Sequence, residues 1–146
     1  MDYIGKFEAD YQREKEIKKH YKEAQTQAEK SAAGEEMKAF DHYLTVEMGR
    51  EYTYIYELYE YARTRGNRHI NVEDLRNRKP AQFVELMRKY GIEVFTFSSR
   101  WSGMIDDLAE FLKTGCTFCG IAEINTNYRR ALNGYETDNA IIFYIK

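Results

Sequence analysis

The sequence predicts an α+β protein: a long N-terminal antiparallel helical hairpin with short helices, then a C-terminal β-α-β-β three-stranded sheet. Three observations carry this. Apolar residues recur at steps of three and four through the first ninety positions, glycines suited to chain reversal stand at 34, 66, 91 and 115, and β-branched and aromatic runs gather after Gly91. A single domain over 1–146 is expected, with the hairpin at 1–66, short helices at 67–90 and the sheet layer at 91–146.

The first helix is read from Tyr3 to about Lys30, where Ile4, Phe7, Tyr11, Ile17, Tyr21, Ala24 and Ala28 share one face. Its other face alternates charges, as in Glu14 with Lys18; seven acids and seven bases cancel over residues 1–34. Ser31-Ala32-Ala33-Gly34 reads as the break. A second helix from about Glu35 to Thr64 follows, with Met37, Phe40, Leu44, Met48, Tyr52, Ile55, Tyr59 and Ala62 inward. Helices of that length would span about 40–45 Å each. Arg65-Gly66-Asn67 ends the second, and Asn71 is the expected N-cap of a short helix from Val72 to Asn77. Pro80 suits the first turn of a helix reaching Tyr90, closed by Gly91. Ile92–Phe97 reads as a strand, Ser98 or Ser99 as the cap of a helix over residues 100–114, Cys116–Asn125 as a second strand and Ala140–Lys146 as a third. The first two strands are expected to pair or neighbour in parallel through a right-handed crossover. Residues 127–139, with Asn133-Gly134, read as a polar loop.

Composition excludes several classes of function. The 22 basic and 24 acidic residues leave −2, against both a polybasic nucleic-acid binder and a strongly acidic DNA mimic. With 43% hydrophobic and 15% aromatic residues the chain is not a disordered tail. No apolar run approaches a membrane span, and the charged N-terminus lacks a signal peptide's apolar centre. Two cysteines without an export signal predict a reducing cytoplasm.

No catalytic signature occurs. Cys116-Thr-Phe-Cys119 has metal or redox spacing, but it opens a strand, where residues three apart face opposite ways, and no second ligand pair accompanies it. No metal and no cofactor are therefore expected. Ser98-Ser99-Arg100-Trp101 lies where a strand runs into a helix, a place that suits a small anion or an enzyme site if a base lay beside a serine. Asp106-Asp107 reads as first-turn acids that complement the helix dipole.

Charge and tyrosine are the unusual features. Residues 35–60 hold seven acids against two bases, and residues 61–90 hold eight bases against three acids. Five tyrosines fall between Tyr52 and Tyr61, and apolar or aromatic residues there cover about 220° of the helix at about 100° per residue. A single neighbour buries a stripe of about 100°. A second partner is thus required: the sheet, a second copy of the chain, or another protein. Tyr54, Leu58, Tyr61, Arg63, Arg65 and Arg68 are the expected partner contacts, since Tyr and Arg dominate binding hot spots. Arg76, Arg78 and Lys79 extend the basic stretch toward a possible nucleic-acid contact.

From Gly91 to Arg129 the strand Ile92–Phe97, the serine-preceded helix, Gly115-Cys116 and Gly120-Ile-Ala-Glu-Ile-Asn125 resemble small proteins encoded on phages and conjugative elements of gut anaerobes. That resemblance implies an accessory protein of a mobile element and brings in anti-defence inhibitors, including anti-CRISPR proteins. The expected function is non-enzymatic binding of a macromolecule, with a CRISPR nuclease as the most concrete partner. The alternative is a nucleic-acid-binding regulator of the element.

Overall fold

The computed structural model describes residues 2–99 and 103–145. Within them the chain is α+β and divides into two compact units, Met1–Glu57 and Leu58–Lys146. No described helix is long and apolar enough to cross a membrane.

The first unit is helical. Helix α1 (Tyr3–Glu23) starts where Asp2 Oδ1 accepts from the Gly5 N–H at 3.0 Å. The expected break at Ser31–Gly34 lies inside helix α2 (Gln27–His42) instead, and the chain turns at Ala24–Thr26. Thr26 Oγ1 accepts from Glu29 N at 3.1 Å, and Glu29 Oε2 accepts from Gln25 N at 3.3 Å. This Thr-x-x-Glu capping pattern wins because a glycine inside a helix costs only about 1 kcal/mol. The expected second helix is likewise divided. A π-helical segment, Tyr43–Met48, ends at Gly49 with φ of 93°, and helix α3 (Arg50–Arg65) begins after it. Both of the long helices foreseen are therefore shorter than their expected 40–45 Å.

Contacts fix the helix directions. Arg13 lies 5.2 Å over the Phe40 ring and His20 meets Glu36, so α2 returns antiparallel to α1. The expected Glu14 to Lys18 pair forms at 3.8 Å. Tyr52 donates to Asp10 and Tyr56 donates to Glu14 at 2.9 Å, so α3 runs along α1 in the same direction. Asp10 is buried and also accepts from the Tyr43 hydroxyl at 3.0–3.1 Å. Burial, reinforced by the Asp10 carboxylate, raises the Tyr52 phenol far above its ordinary value.

The second unit carries the sheet. Strands β1 (Ile70–Val72), β2 (Val94–Phe97), β3 (Cys116–Arg129) and β4 (Gly134–Ile145) lie in the order β1-β2-β4-β3, four strands where three were expected. Asn71 does not cap a helix: it sits buried in β1, which pairs in parallel with β2. Three residues give no readable periodicity, so the pairing with β2 decides the outcome. Strands β2 and β3 are parallel but do not pair, because β4 inserts between them antiparallel to both. The expected loop at 127–139 is mostly strand. It forms a hairpin closed by a 3-10 turn, Arg130–Leu132, and by Asn133 in the left-handed region.

Helix α4 (Pro80–Lys89) matches its expected start and its stop at Gly91, whose φ is 72°. Helix α5 (Met104–Lys113) has Gly103, not Ser98 or Ser99, at its N-cap. Phe111 of α5 lies 5.2–6.1 Å, ring to ring, from Phe83 of α4, Phe95 and Phe97 of β2, and Phe143 of β4. The end of α3 is tied to β3. Asn67 Nδ2 donates to Asn125 O at 2.9 Å, Asn125 N donates back to Asn67 Oδ1 at 2.8 Å, and Asn125 Nδ2 donates to Arg65 O at 2.8 Å.

Phe111→Ala is expected to lower stability by about 3–5 kcal/mol, since four aromatic rings would be left around a cavity; urea denaturation followed by tryptophan-independent circular dichroism measures it. A second expectation concerns pH. The Glu36 carboxylate, opposed in part by burial and helped by Glu16, holds the His20 imidazole above its ordinary 6.5. A raised folded value means the contribution is full below about pH 6.5 and is lost as pH climbs through the raised value. The melting temperature of the protein should exceed that of His20→Ala at about pH 6, and the gap should close by about pH 8.

Candidate functional site

The parallel pair β1 and β2 ends, in both strands, at polar residues. Glu73 follows β1 and Ser98 follows β2, held together by the bond from Ser98 N to Val72 O at 3.1 Å. Beneath them runs a chain of side-chain hydrogen bonds. Thr96 Oγ1 donates to Asn71 Oδ1 at 2.7 Å, Asn71 Nδ2 donates to Ser98 Oγ at 2.9 Å, and Ser98 Oγ donates to Glu73 Oε1 at 3.5 Å. Thr96 and Asn71 are buried, so each polar atom in this chain has to be matched. Their partners thereby fix where Ser98 points.

Above this chain opens a cleft of about 810 Å³. Tyr61 of α3, the segment from Glu73 to Arg78, Ser98, Ser99 and Asp107 of α5 form part of its wall. Thr126 and Asn127 of β3, with Glu136, Asp138 and Asn139 of β4, complete it. The position obeys a general rule for α/β sheets, in which ligands bind beyond the carboxyl ends of parallel strands. Two consecutive non-glycine residues, Arg76 (φ 48°) and Asn77 (φ 66°), hold left-handed backbone in the wall. Each such conformation costs of order 1 kcal/mol. The Asp74 carboxylate stabilises the turn by accepting from Arg76 N at 2.8 Å.

The electrostatics differ from those of the linear sequence. Glu73, Asp74, Asp107, Glu136 and Asp138 face Arg76 and Arg78, a balance of −3. Glu136 also accepts from Arg129 Nε at 2.9 Å and Arg65 Nε donates to Thr126 O of the wall, and counting both cations leaves −1 among the described residues. Tyr61 lies under the Arg65 guanidinium, 3.5 Å from the ring centroid. Burial raises the Tyr61 phenol; Arg65 opposes the rise, and Glu73 and Asp138 add to it.

The expected contact residues do not form one surface. Tyr54 is buried, which removes it from any contact face as the protein stands, and Leu58 is half-buried. The arc of about 220° is covered within the chain: Tyr52, Tyr54, Ile55, Tyr56 and Ala62 are buried, and Leu58, Tyr59 and Tyr61 half-buried. Arg65 is committed internally, since its Nε donates to Thr126 O at 2.7 Å. Arg63 and Arg68 are exposed but lie outside the cleft wall. Arg76 and Arg78 do line it, among carboxylates, and Lys79 instead opens α4, its N–H donating to Gln82 Oε1 at 2.8 Å. Of the Ser98-Ser99-Arg100-Trp101 turn, the two serines line the cleft, and Arg100 and Trp101 lie outside the described residues.

Sequence reasoning missed Asn71, Glu73, Asp107, Glu136 and Asp138 as neighbours. They come from three separate segments, and only the sheet order brings them together. Cys116 is buried and Cys119 exposed, both as free thiols, and burial raises the Cys116 thiol. Among the described residues no group of His, Cys, Asp and Glu is arranged to hold a metal ion.

Asn71→Ala should cost about 1–3 kcal/mol, because it removes the shorter of the buried Thr96 hydroxyl's two acceptors and leaves only Ile70 O at 3.3 Å. In a double-mutant cycle with Ser98→Ala the two losses should fall short of additive, as both residues belong to one chain of bonds; chemical denaturation gives all four values.

Comparison with known proteins bears on residues 54–145, which match the model of a family described as Domain of unknown function (DUF7698). The chain belongs to that family, and the match covers nearly all of the second compact unit. No curated protein and no solved structure matches.

Proposed function

We propose that this DUF7698 protein is a non-enzymatic binding protein whose cleft receives a basic segment of another protein. The observation that carries the proposal is the net negative charge of a polar cleft at the carboxyl ends of β1 and β2. Lysine or arginine side chains entering it would meet the five carboxylates of its wall. Complementary charge of this kind sets specificity and association rate more than raw affinity.

An enzyme reading is weaker on geometry. Ser98 Oγ is 3.5 Å from Glu73 Oε1 and already accepts from Asn71, and no histidine lines the cleft among the described residues. A nucleophilic serine needs a base within about 3 Å that is itself oriented by a third group. The nucleic-acid reading is weaker for an electrostatic reason: Arg76 and Arg78, which it requires, stand in a negative field that would repel phosphates.

The resemblance of Gly91–Arg129 to mobile-element proteins supports a host-defence protein as the partner. A CRISPR nuclease is its concrete form, because enzymes that hold nucleic acid do so through basic surfaces. The cytoplasm is the compartment this reading requires, in keeping with two free thiols.

Fluorescence anisotropy with labelled deca-arginine, deca-glutamate and duplex DNA tests the proposal on the full chain. Deca-arginine should bind, and Glu73→Gln with Asp138→Asn should weaken it roughly three- to tenfold. Binding of DNA in preference to deca-arginine, or equal affinity of the variant for deca-arginine, would overturn it.

A further inference from the structure

We propose that the flank of α5 turned away from α4, together with the start of β3, is the interface to a second copy of this chain. Four large apolar side chains there are more than half exposed: Ile105 (69%), Leu112 (54%), Phe118 (54%) and Ile121 (58%). Scattered apolar residues on a surface need no explanation, but these share one place.

Helix geometry puts the first two on one side. Measured from Phe111, which points into the core, Leu112 and Ile105 lie at about +100° and +120° around α5, at about 100° per residue. On the opposite flank, at about −40° and −60°, are Asp107 in the cleft wall and Thr114, whose carbonyl accepts from Arg88 Nη2 of α4 at 3.4 Å. The apolar flank therefore faces away from α4. Strand register puts the other two on the same face of the sheet. Phe118 stands opposite Phe143, and Ile121 opposite Ile141, whose other neighbour is Phe97. Phe97 and Phe143 both pack on Phe111, so Phe118 and Ile121 emerge on the face that α5 covers. Strand β3 is an outer strand, with no strand beyond it among the described residues to cover them.

A second copy fits this patch for two reasons. The first is area. At roughly 100 Å² each, about half of what an aromatic side chain buries, the four supply about 400 Å². That is about half of the ~800 Å² per partner that a stable interface needs, in a continuous apolar centre. The second is charge. A two-fold contact sets the patch against itself, and with its axis perpendicular to α5 it runs the helix antiparallel to its copy. Exposed Asp106 in the first turn then meets exposed Lys113 in the last, twice over, with the two helix dipoles opposed. The bulge between Phe118 and Gly120 kinks the edge of β3, so side chains rather than a continued ladder form the contact.

Sedimentation velocity of the full chain over a concentration series tests this. A reversible dimer is expected, and Leu112→Asp with Phe118→Asp should raise its dissociation constant at least tenfold with an unchanged circular dichroism spectrum. Lys113→Glu should weaken the dimer, and adding Asp106→Lys should restore it; both positions are exposed, so folding is not at stake. A monomer at every concentration, a dimer indifferent to the patch variants, or a charge swap that restores nothing would overturn the proposal. Deca-arginine binding reads a different site, so failure of either proposal is distinguishable from failure of the other.

Discussion

The last strand of the chain is an inner strand of the sheet. β4 bonds to β2 on one side and β3 on the other, so β3 has no strand partner and β2 only β1 until residues 134–145 are in place. Because β4 runs antiparallel to β2, its amino-terminal half extends past the carboxyl end of β2. That is how Glu136 and Asp138 come to stand across from Ser98 and Glu73. The cleft is thus a consequence of strand order: reverse the direction of β4, and its acidic half would lie at the other end of the sheet. The same insertion pushes β3 to the edge and leaves Phe118 and Ile121 without a covering strand.

Two buried polar groups, Asp10 in the first unit and Asn71 in the second, add specificity to cores that are otherwise mostly apolar. Asp10 accepts from two phenols, and a carboxylate that leaves water needs such donors to offset its desolvation. Asn71 does the corresponding work in β1, where three residues would give little register on their own. A shift by one residue would turn Asn71 toward the phenylalanines and take its amide away from the Thr96 hydroxyl. Each network rewards one arrangement and penalises its neighbours, which hydrophobic burial alone does only weakly.

Much of this fold is readable from local signals. Pro80 and Gly91 bracket α4, the run before Ser98 is a strand, and Gly115 closes α5, since each is decided within a few residues. The failures share a cause. Gly34 and Gly49 look alike in sequence, yet only Gly49 has positive φ, because Thr26 and Glu29 had already supplied the earlier turn. The polar halves of β3 and β4 carry no alternation because the ladder between them, with pairs such as Tyr128 opposite Tyr135, holds them rather than burial of a face. Asn71 reads as a cap by type and becomes a buried strand residue by pairing. The tyrosine arc did require more than one neighbour, as its width implied, but its burial lies within the chain and leaves no exposed tyrosine face at Tyr54.

The site itself was beyond reach for an electrostatic reason. The excess of bases over residues 61–90 is a property of a segment, whereas a ligand meets the field of everything that surrounds it. Arg76 and Arg78 arrive in the cleft already balanced by Glu73 and Asp74 from their own segment, and then Asp107, Glu136 and Asp138 from thirty to sixty positions away make the wall negative. At separations below a Debye length of about 8–10 Å such charges act together whatever their distance along the chain. A basic run in sequence is therefore evidence of a basic surface only when the elements packed around it are known. Here they are acidic, and that is the ground for proposing a cationic partner.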